Sequence, residues 1–494
     1  MTRQQLVDHL LECAKDVWQG YWDSVADEQR LRLAGMEEEL RGITRAVEQG
    51  LWALVAERLD VLAVEVEGRC ECGRCRERRQ DTVELELLGH RVGFPCTYLY
   101  CRACHKGVNP VRRWLGLEEG GVSLAYERAL TDLTTRMTFG DAGVSMREHH
   151  SQDVERTKAE RITYRVGREA ELYLQQRRHQ ARTEMNSGDK QGAEQILFTA
   201  DGGAVPVGTL KRPTMVRANT PTTQIRKLPK GTRTITGREA RLISAHDAQP
   251  DSDRVVDCHI APYENTRFTG ERMLAAALEA GLGAKSKIHG VFDMGKWIHS
   301  QFEEQFFAYD RSACADIVHV TEYLTDAGRV IVGQDKAKGW AMERKRRMLA
   351  GEYESILAEL KEHECSLSCS KNEGGKCLVR VAQTYLENNG EYMKNYEDFM
   401  VRGLPVGSGE AESGIRHIIK KRMAVAGAWT EQNASLLLAL LAIRASGWWD
   451  DFWRWRDKRD RQAWHDRQDG TVKMLFRGIR GHGKRGQKPQ KVAA

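Results

Sequence analysis

QILFTADGGAVPVG, residues 195–208, reads as a strand with an acid, Asp201, directly at its apolar core side, followed by a turn. Working outward from it, 240–249 (ARLISAHDAQ) and 254–263 (RVVDCHIAPY) read as second and third strands, and 268–282 (FTGERMLAAALEAGL) as a helix. Residues 287–298 (KIHGVFDMGKWI) read as a fourth strand ending in Asp293. Residues 301–310 are helical, and 315–324 (ADIVHVTEYL) form a short strand running into a helix. Strand, strand, strand, helix, strand, helix, strand, helix is the order of a ribonuclease H-like mixed α/β fold, with Asp201 on its first strand and Asp293 at the end of its fourth.

A third acid comes from farther along. In VGSGEAESGIRHIIKKRM, 406–423, a Ser408 cap opens a helix whose apolar positions Ala411, Ile415, Ile418 and Ile419 recur at helical spacing. On a uniform α-helix Glu412 shares that buried side, whereas Glu410 lines up with His417 and Lys421 on the polar side. A carboxylate aimed at a core is costly unless something pairs with it. Three carboxylates brought to one sheet edge need cations between them, and two Mg²⁺ or Mn²⁺ ions, roughly 3.5–4 Å apart, meet that need in an in-line phosphoryl displacement. Sparse carboxylate ligation suits Mg²⁺. The expected substrate is a phosphodiester, and no Walker loop, GxSxG elbow or kinase motif set competes.

The 494 residues, 41% hydrophobic and 30% charged, can bury sizeable cores in several domains. The expected division is a helical region 1–67, a zinc ribbon 68–115, a helical DNA-binding module 116–190, the first part of the catalytic core 191–324, a helical insertion 325–402, the closing helix of the core 403–430, a C-terminal helical region 431–470 and a basic tail 471–494. The longest apolar run, 436–443, is too short to span a bilayer, and the charged amphipathic N-terminus has no signal-peptide pattern, so a cytoplasmic, nucleoid-associated protein without membrane contact is expected. Twelve cysteines with paired short spacings suggest thiolate metal ligands. Cys72-x2-Cys75 and Cys101-x2-Cys104 flank a hairpin-like stretch, the sequence form of a structural Zn²⁺ ribbon, with Cys70 able to replace Cys72 and Cys96 a further thiol nearby. His363, Cys365, Cys369 and Cys377 have irregular spacing, and loop thiols are the default reading for them.

Positive charge is concentrated in three places. Three helices from 116 to about 190 fit a helix-turn-helix reader of DNA, with Arg156, Lys158, Arg161, Arg165 and Arg168 along the third. Residues 209–241 carry nine Lys/Arg, among them Lys211, Arg212, Arg226 and Lys227, against a single acid, Glu239, and read as a flexible phosphate-contacting arm. The tail 473–494 has seven Lys/Arg, including Lys484 and Arg485, and no acid.

The chain from about Cys70 to Arg456 resembles bacterial insertion-sequence transposases with a DDE active site, specifically the ISKra group, and more distantly Mutator-type transposases. The resemblance rests on YLYCRACHKGVNP, TADGGAVP, FDMGKWI, DIVHVTEYL, and GSGEAESGIRHIIKKRM followed by GAW and ALLAIRASGWWDDFW. It implies that Asp201, Asp293 and Glu412 are the catalytic triad, that Asp316 and His319 match the (C/D)xxH element as active-site support, and that the partner is double-stranded DNA, both element ends and target. Joining two ends implies at least a homodimer on DNA. The family pattern has glycine on both sides of the second Asp, where this chain has Phe292 and Met294. Two other readings stand beside it: a transposase-derived protein that binds DNA without cutting, and a metal-dependent nuclease without strand transfer.

Overall fold

Alternating burial along 77–108 builds one small sheet, and near-continuous apolar runs farther on build a larger one. The computed structural model describes residues 77–115, 121–186, 192–211, 232–261, 266–363, 375–424 and 429–467, together with Leu117 and scattered positions before 77 that include Cys70 and Cys72. The chain divides into two compact units: Met1–Leu133, Gly140–Ala159 and Arg456–Ala494 form the first, and Thr134–Phe139 with Glu160–Trp455 the second.

In the first unit β1 (Glu77–Leu87) and β2 (His90–Cys101) form an antiparallel hairpin that turns at Leu88-Gly89, and β3 (Lys106–Val108) adds to β2. Gly89 takes φ +95°, a left-handed geometry that glycine adopts without strain. Val83, Leu85, Leu87, Val92, Phe94 and Cys96 alternate onto the inner face, where Val111 and Leu117 cover them. Val111 lies on α1 (Pro110–Trp114), which begins with Pro at its first position behind an Asn109 cap that accepts from the Arg112 N–H. Most of α2 (Leu124–Thr134) and of α3 (Phe139–His150) belongs to the same unit.

In the second unit β4 (Gln195–Lys211), β5 (Thr232–Asp247), β6 (Val255–Ile260), β7 (Lys287–Phe292) and β8 (Asp310–Ala315) make one mixed sheet in the order β6-β5-β4-β7-β8. β4, β5 and β6 are antiparallel, whereas β7 and β8 run parallel to β4. The second unit also holds α4 (Arg156–Asn186) from Glu160 onward, and helices α5 (Thr266–Glu279), α6 (Lys296–Gln305) and α7 (Ile317–Ile331) come after β6, β7 and β8. Met273, Ala276, Ile298 and Phe302 from α5 and α6 pack on Ile196, Phe198 and Ala200 of β4. This is the α/β architecture expected, with two shifts at its elements. The β-branched run IVHV is the start of α7 because Asp316 caps it, and the strand lies just before it. The arm expected between 209 and 241 is partly sheet, with β4 and β5 paired out to Lys211↔Thr232.

The helices α8 (Gln334–Leu349), α9 (Tyr353–Glu362), α10 (Leu378–Asn389) and α11 (Tyr396–Val401) follow α7, over the stretch read as a helical insertion. They do not stand apart as a domain. Met348, Ile356, Leu360, Leu386, Tyr396 and Phe399 join the same apolar cluster as Phe198 and Phe302. Beyond α12 (Gly409–Gly414), a π-helical segment Ile415–Lys420 and α13 (Lys421–Met423), α14 (Glu431–Ala445) is buried from Leu436 to Ile443, and α15 (Trp449–Arg467) seats Phe452 and Trp455 against Tyr173. Among the described residues no helix is long and apolar enough to cross a membrane.

Candidate active site and candidate metal centre

The parallel pairing ends in step. Ala200 pairs with Phe292 and Phe292 with Ala315, so Asp201, Asp293 and Asp316 each come one residue after the same register row: Asp293 and Asp316 just past the carboxyl ends of β7 and β8, and Asp201 within β4, where its pairing with β7 stops while that with β5 runs on to Lys211 in place of the expected turn. That edge is where open α/β sheets bind ligands, and the chain leaves β7 and β8 there, which frees Asp293 and Asp316 from the ladder. Asp201 is half-buried, and its carboxylate accepts from the Gly202 N–H at 2.6 Å. Burial pushes its pKa up and the Asp293 charge adds to this, against the Gly202 N–H, His319 and Lys420, which pull it down.

Asp293 accepts from the Gly295 N–H at 2.9 Å, and the Tyr385 hydroxyl donates to its carbonyl at 3.3 Å. Tyr385 stacks on Tyr323 with ring centroids 4.0 Å apart. Met294, the residue after Asp293, is held at φ +65° and buried in the core. A left-handed non-glycine residue costs roughly 1–2 kcal/mol, and the apolar contacts of Met294 hold it there. Asp316 is 1% exposed, and its carboxylate accepts from the Val318 N–H at 2.8 Å and from the Ser408 hydroxyl. His319, one turn into α7, is partly exposed and pairs with Glu322 at 3.1 Å.

The helix bearing the third acid sits on the same face of the sheet, in a different phase from that expected. Ala411, Gly414, Ile415 and Ile419 are buried, and a Cβ on Gly203 would lie 2.7 Å from the Ile415 side chain. Glu412 is exposed, not inward, and forms no ion pair among the described residues. Glu410 is the half-buried acid, paired with Arg254 and with His246 at 3.4 Å. Ser408 occupies the cap position, but its hydroxyl goes to Asp316 and not to the helix. The π-helical segment bonds i→i+5, which inserts extra chain per turn and rotates the residues beyond it relative to an α-helical wheel. It places Lys420 beside Asp201 and Gly203. Among the described residues Asp201, Asp293 and Glu412 do not close into a cluster tight enough to grip one ion.

The opposite side of β4 holds a group that no motif singles out. Glu239, the lone acid of the basic stretch, accepts from Trp297 Nε1 at 3.2 Å and lies against Gly202, while Arg241 stacks on Trp297 at 3.8 Å. Its only signal in the sequence is its isolation among nine cations.

Of the residues expected to meet DNA, Arg156 and Arg161 are exposed and Arg165 is half-buried on α4. Lys158 is not available: it is partly buried in an ion pair with Glu86 and lies over the Tyr126 ring at 5.3 Å. Lys211 ends β4, and Arg212, Arg226, Lys227, Lys484 and Arg485 lie outside the described residues.

In the first unit Cys70, Cys72, Cys101 and Cys104 bring their sulfurs within 4.8 Å of one another, with Cys70···Cys104 at 3.2 Å and Cys72···Cys101 at 3.6 Å. A tetrahedral ion with bonds near 2.3 Å spaces its thiolates by about 3.8 Å, so the four can hold a structural metal such as zinc. The β2–β3 turn delivers Cys101 and Cys104. Of the expected set Cys72, Cys101 and Cys104 are in the cluster, the nearby Cys70 takes part beside them, and Cys75 lies outside the described residues. The Cys72 backbone N–H and the Cys104 thiol hold Cys70 down to about 6, whereas sharing with Cys70 and Cys101 pushes Cys104 up to about 12. Cys96 is no ligand; it is buried in the hairpin core and accepts from Asn109 at 3.2 Å. Cys365 and Cys369 fall outside the described residues, while Cys377 precedes α10 and His363 ends α9. No family model matches the chain, and neither does any curated protein.

Proposed function

We propose that the second unit is the ribonuclease H-like core of a DDE transposase, and that Asp201, Asp293 and Glu412 serve metal-dependent cleavage and strand transfer on double-stranded DNA. The observation that carries the reading is the register row: two acids, Asp201 and Asp293, each one residue beyond the last pair of the parallel β4–β7 ladder and close enough for the Asp293 charge to raise the pKa of Asp201. The strand order, with one antiparallel half and one parallel half, supports it.

The donor set suits a hard cation, since both groups offer carboxylate oxygen and their mutual repulsion is relieved by positive charge between them. Asp201, Asp293 and Glu412 would hold the Mg²⁺ or Mn²⁺ ions. Such ions activate the attacking oxygen and stabilise the leaving one. The chain's own contribution is placement: the Gly202 and Gly295 N–H groups orient the two aspartates, and Lys420 and His319 put positive charge beside them. The partner DNA meets basic surface on α4, the arm and the tail, and two joined ends call for at least a dimer. The cysteine cluster would hold a structural zinc outside the chemistry.

Mg²⁺-dependent cleavage of oligonucleotides carrying the DNA that borders the gene tests this. Asp201→Asn and Glu412→Gln are each expected to abolish cleavage and keep DNA binding, while a strand-transfer product separates a transposase from a nuclease. Wild-type cleavage in either variant would remove that residue from the triad.

A further inference from the structure

The helix that carries Glu412 is reached only after the insertion, so something must return the chain to the sheet in register. Three consecutive ties do this within four residues. The buried His289 of β7 donates from Nε2 to the Pro405 carbonyl at 2.8 Å, with Nδ1 on the Ser312 hydroxyl at 2.9 Å. The Ile317 N–H, the first of α7, donates to the Val406 carbonyl at 3.0 Å. The Ser408 hydroxyl then donates to Asp316, across 92 residues of sequence. Asp316 thereby serves two helices at once. One carboxylate oxygen takes the Val318 N–H of α7 and the other takes Ser408, whose own carbonyl accepts the Glu412 N–H at 3.2 Å.

We infer that Asp316 is a positioning residue, not a metal ligand: with Ser408 it forms a clasp that closes the insertion and sets where the helix bearing Glu412 begins. The functional consequence of the clasp rests on the DDE reading, whereas its geometry does not. Both carboxylate oxygens of Asp316 are taken by the protein, and the group is buried, whereas Asp201 is half-buried and Glu412 exposed. Ser408 is itself 4% exposed, so the bond between them is out of competition with water.

Asparagine distinguishes the two roles. It caps a helix about as well as aspartate, and its amide can donate to the Ser408 oxygen, so the clasp survives with its polarity reversed, whereas a metal ligand loses its charge. In the full-length protein Asp316→Asn is expected to cleave end-bearing DNA within about fivefold of wild type. Asp316→Ala and Ser408→Ala are expected to lose about 10–100-fold in rate with unchanged DNA affinity, because displacement of a reacting group by about 1 Å costs on the order of 100-fold. The double alanine variant should lose no more than the worse single, as partners in one interaction do. Independently of activity, hydrogen exchange of the amides from Val406 to Glu412 should speed up about tenfold in both alanine variants and stay at the wild-type rate in Asp316→Asn. An Asp316→Asn protein as inactive as Asp201→Asn, with wild-type exchange, would make Asp316 a ligand and overturn the inference. Unchanged exchange in Ser408→Ala would overturn it too. If the wild type cleaves no such DNA, the functional reading fails, and the exchange results still decide whether the clasp exists.

Discussion

Replacing Gly203 by alanine tests how the third acid is delivered. A Cβ there would stand 2.7 Å from Ile415 Cγ2 and 3.5 Å from Ile415 Cδ1, where carbon atoms normally rest about 3.5–4.0 Å apart. Ile415 is buried and β-branched, so in a helix it has one strongly preferred rotamer and cannot swing aside. The helix itself must lift by roughly 1 Å. Overpacking of this kind costs about 1–3 kcal/mol, offset by about 0.4–1 kcal/mol of lost freedom in the unfolded chain, for a net loss of about 1–2 kcal/mol. That corresponds to a melting transition lower by about 2–4 °C in a unit of this size. The effect on cleavage should be larger, about 100-fold, because Glu412 moves with the helix. Gly202→Ala is the comparison: its Cβ would meet the Glu239 side chain, 2.5 Å from Oε1 and 3.2 Å from Cγ and Cδ, which can shift by loosening its bonds to Trp297 and Arg241 without moving the helix. Thermal melts and single-turnover cleavage of end-bearing DNA, run in parallel, check both. A Gly203→Ala protein with wild-type melting and cleavage would mean that the helix does not seat on β4 at Gly203, and the placement of Glu412 would have to be abandoned.

Other perturbations address the remaining features. Metal analysis of the purified protein should find one zinc in the wild type and in Cys96→Ser, whose cysteine lies in the apolar core of the hairpin, and none in Cys70→Ser. Glu410→Gln should leave cleavage nearly intact and instead change stability with pH. The bond to His246 raises the pKa of His246 above its usual 6.5 and lowers that of Glu410 below 4.5, so the pair contributes fully between those values. Its share fades below as Glu410 protonates and above as His246 loses its proton, leaving the Arg254 pairing; melting curves of wild type and variant that differ equally from pH 4 to 9 would exclude this. Removal of 473–494 should weaken all duplexes alike and flatten the log-affinity against log-salt slope by about 0.9 for each phosphate no longer neutralised, and a change in sequence preference at constant slope would show the tail reading bases.

Asp201 and Asp293 were legible in the chain because one interrupts and the other ends an apolar run, each just past the last parallel pair of β4 and β7, where the neighbouring strand stops covering it. The hairpin between the cysteine pairs was legible for a similar local reason, its period of two. Local pattern was not enough elsewhere. Valine and isoleucine after Asp316 favour a strand, yet the Asp316 carboxylate caps them into α7. Cys70 joins Cys72 in the sulfur cluster, whereas the Cys-x2-Cys spacing left it open only as a replacement for Cys72. The two glutamates exchanged their roles: the wheel drawn for a uniform α-helix put Glu412 inward and Glu410 outward, whereas Glu410 is held by Arg254 and His246 and Glu412 meets solvent. Periodicity depends on residues three or four apart and so is written in the chain itself. The rotation of that helix depends on where Gly203 and Gly414 let Ile415 and Leu242 approach, contacts between residues about 170 to 210 positions apart, and only the folded structure decides it.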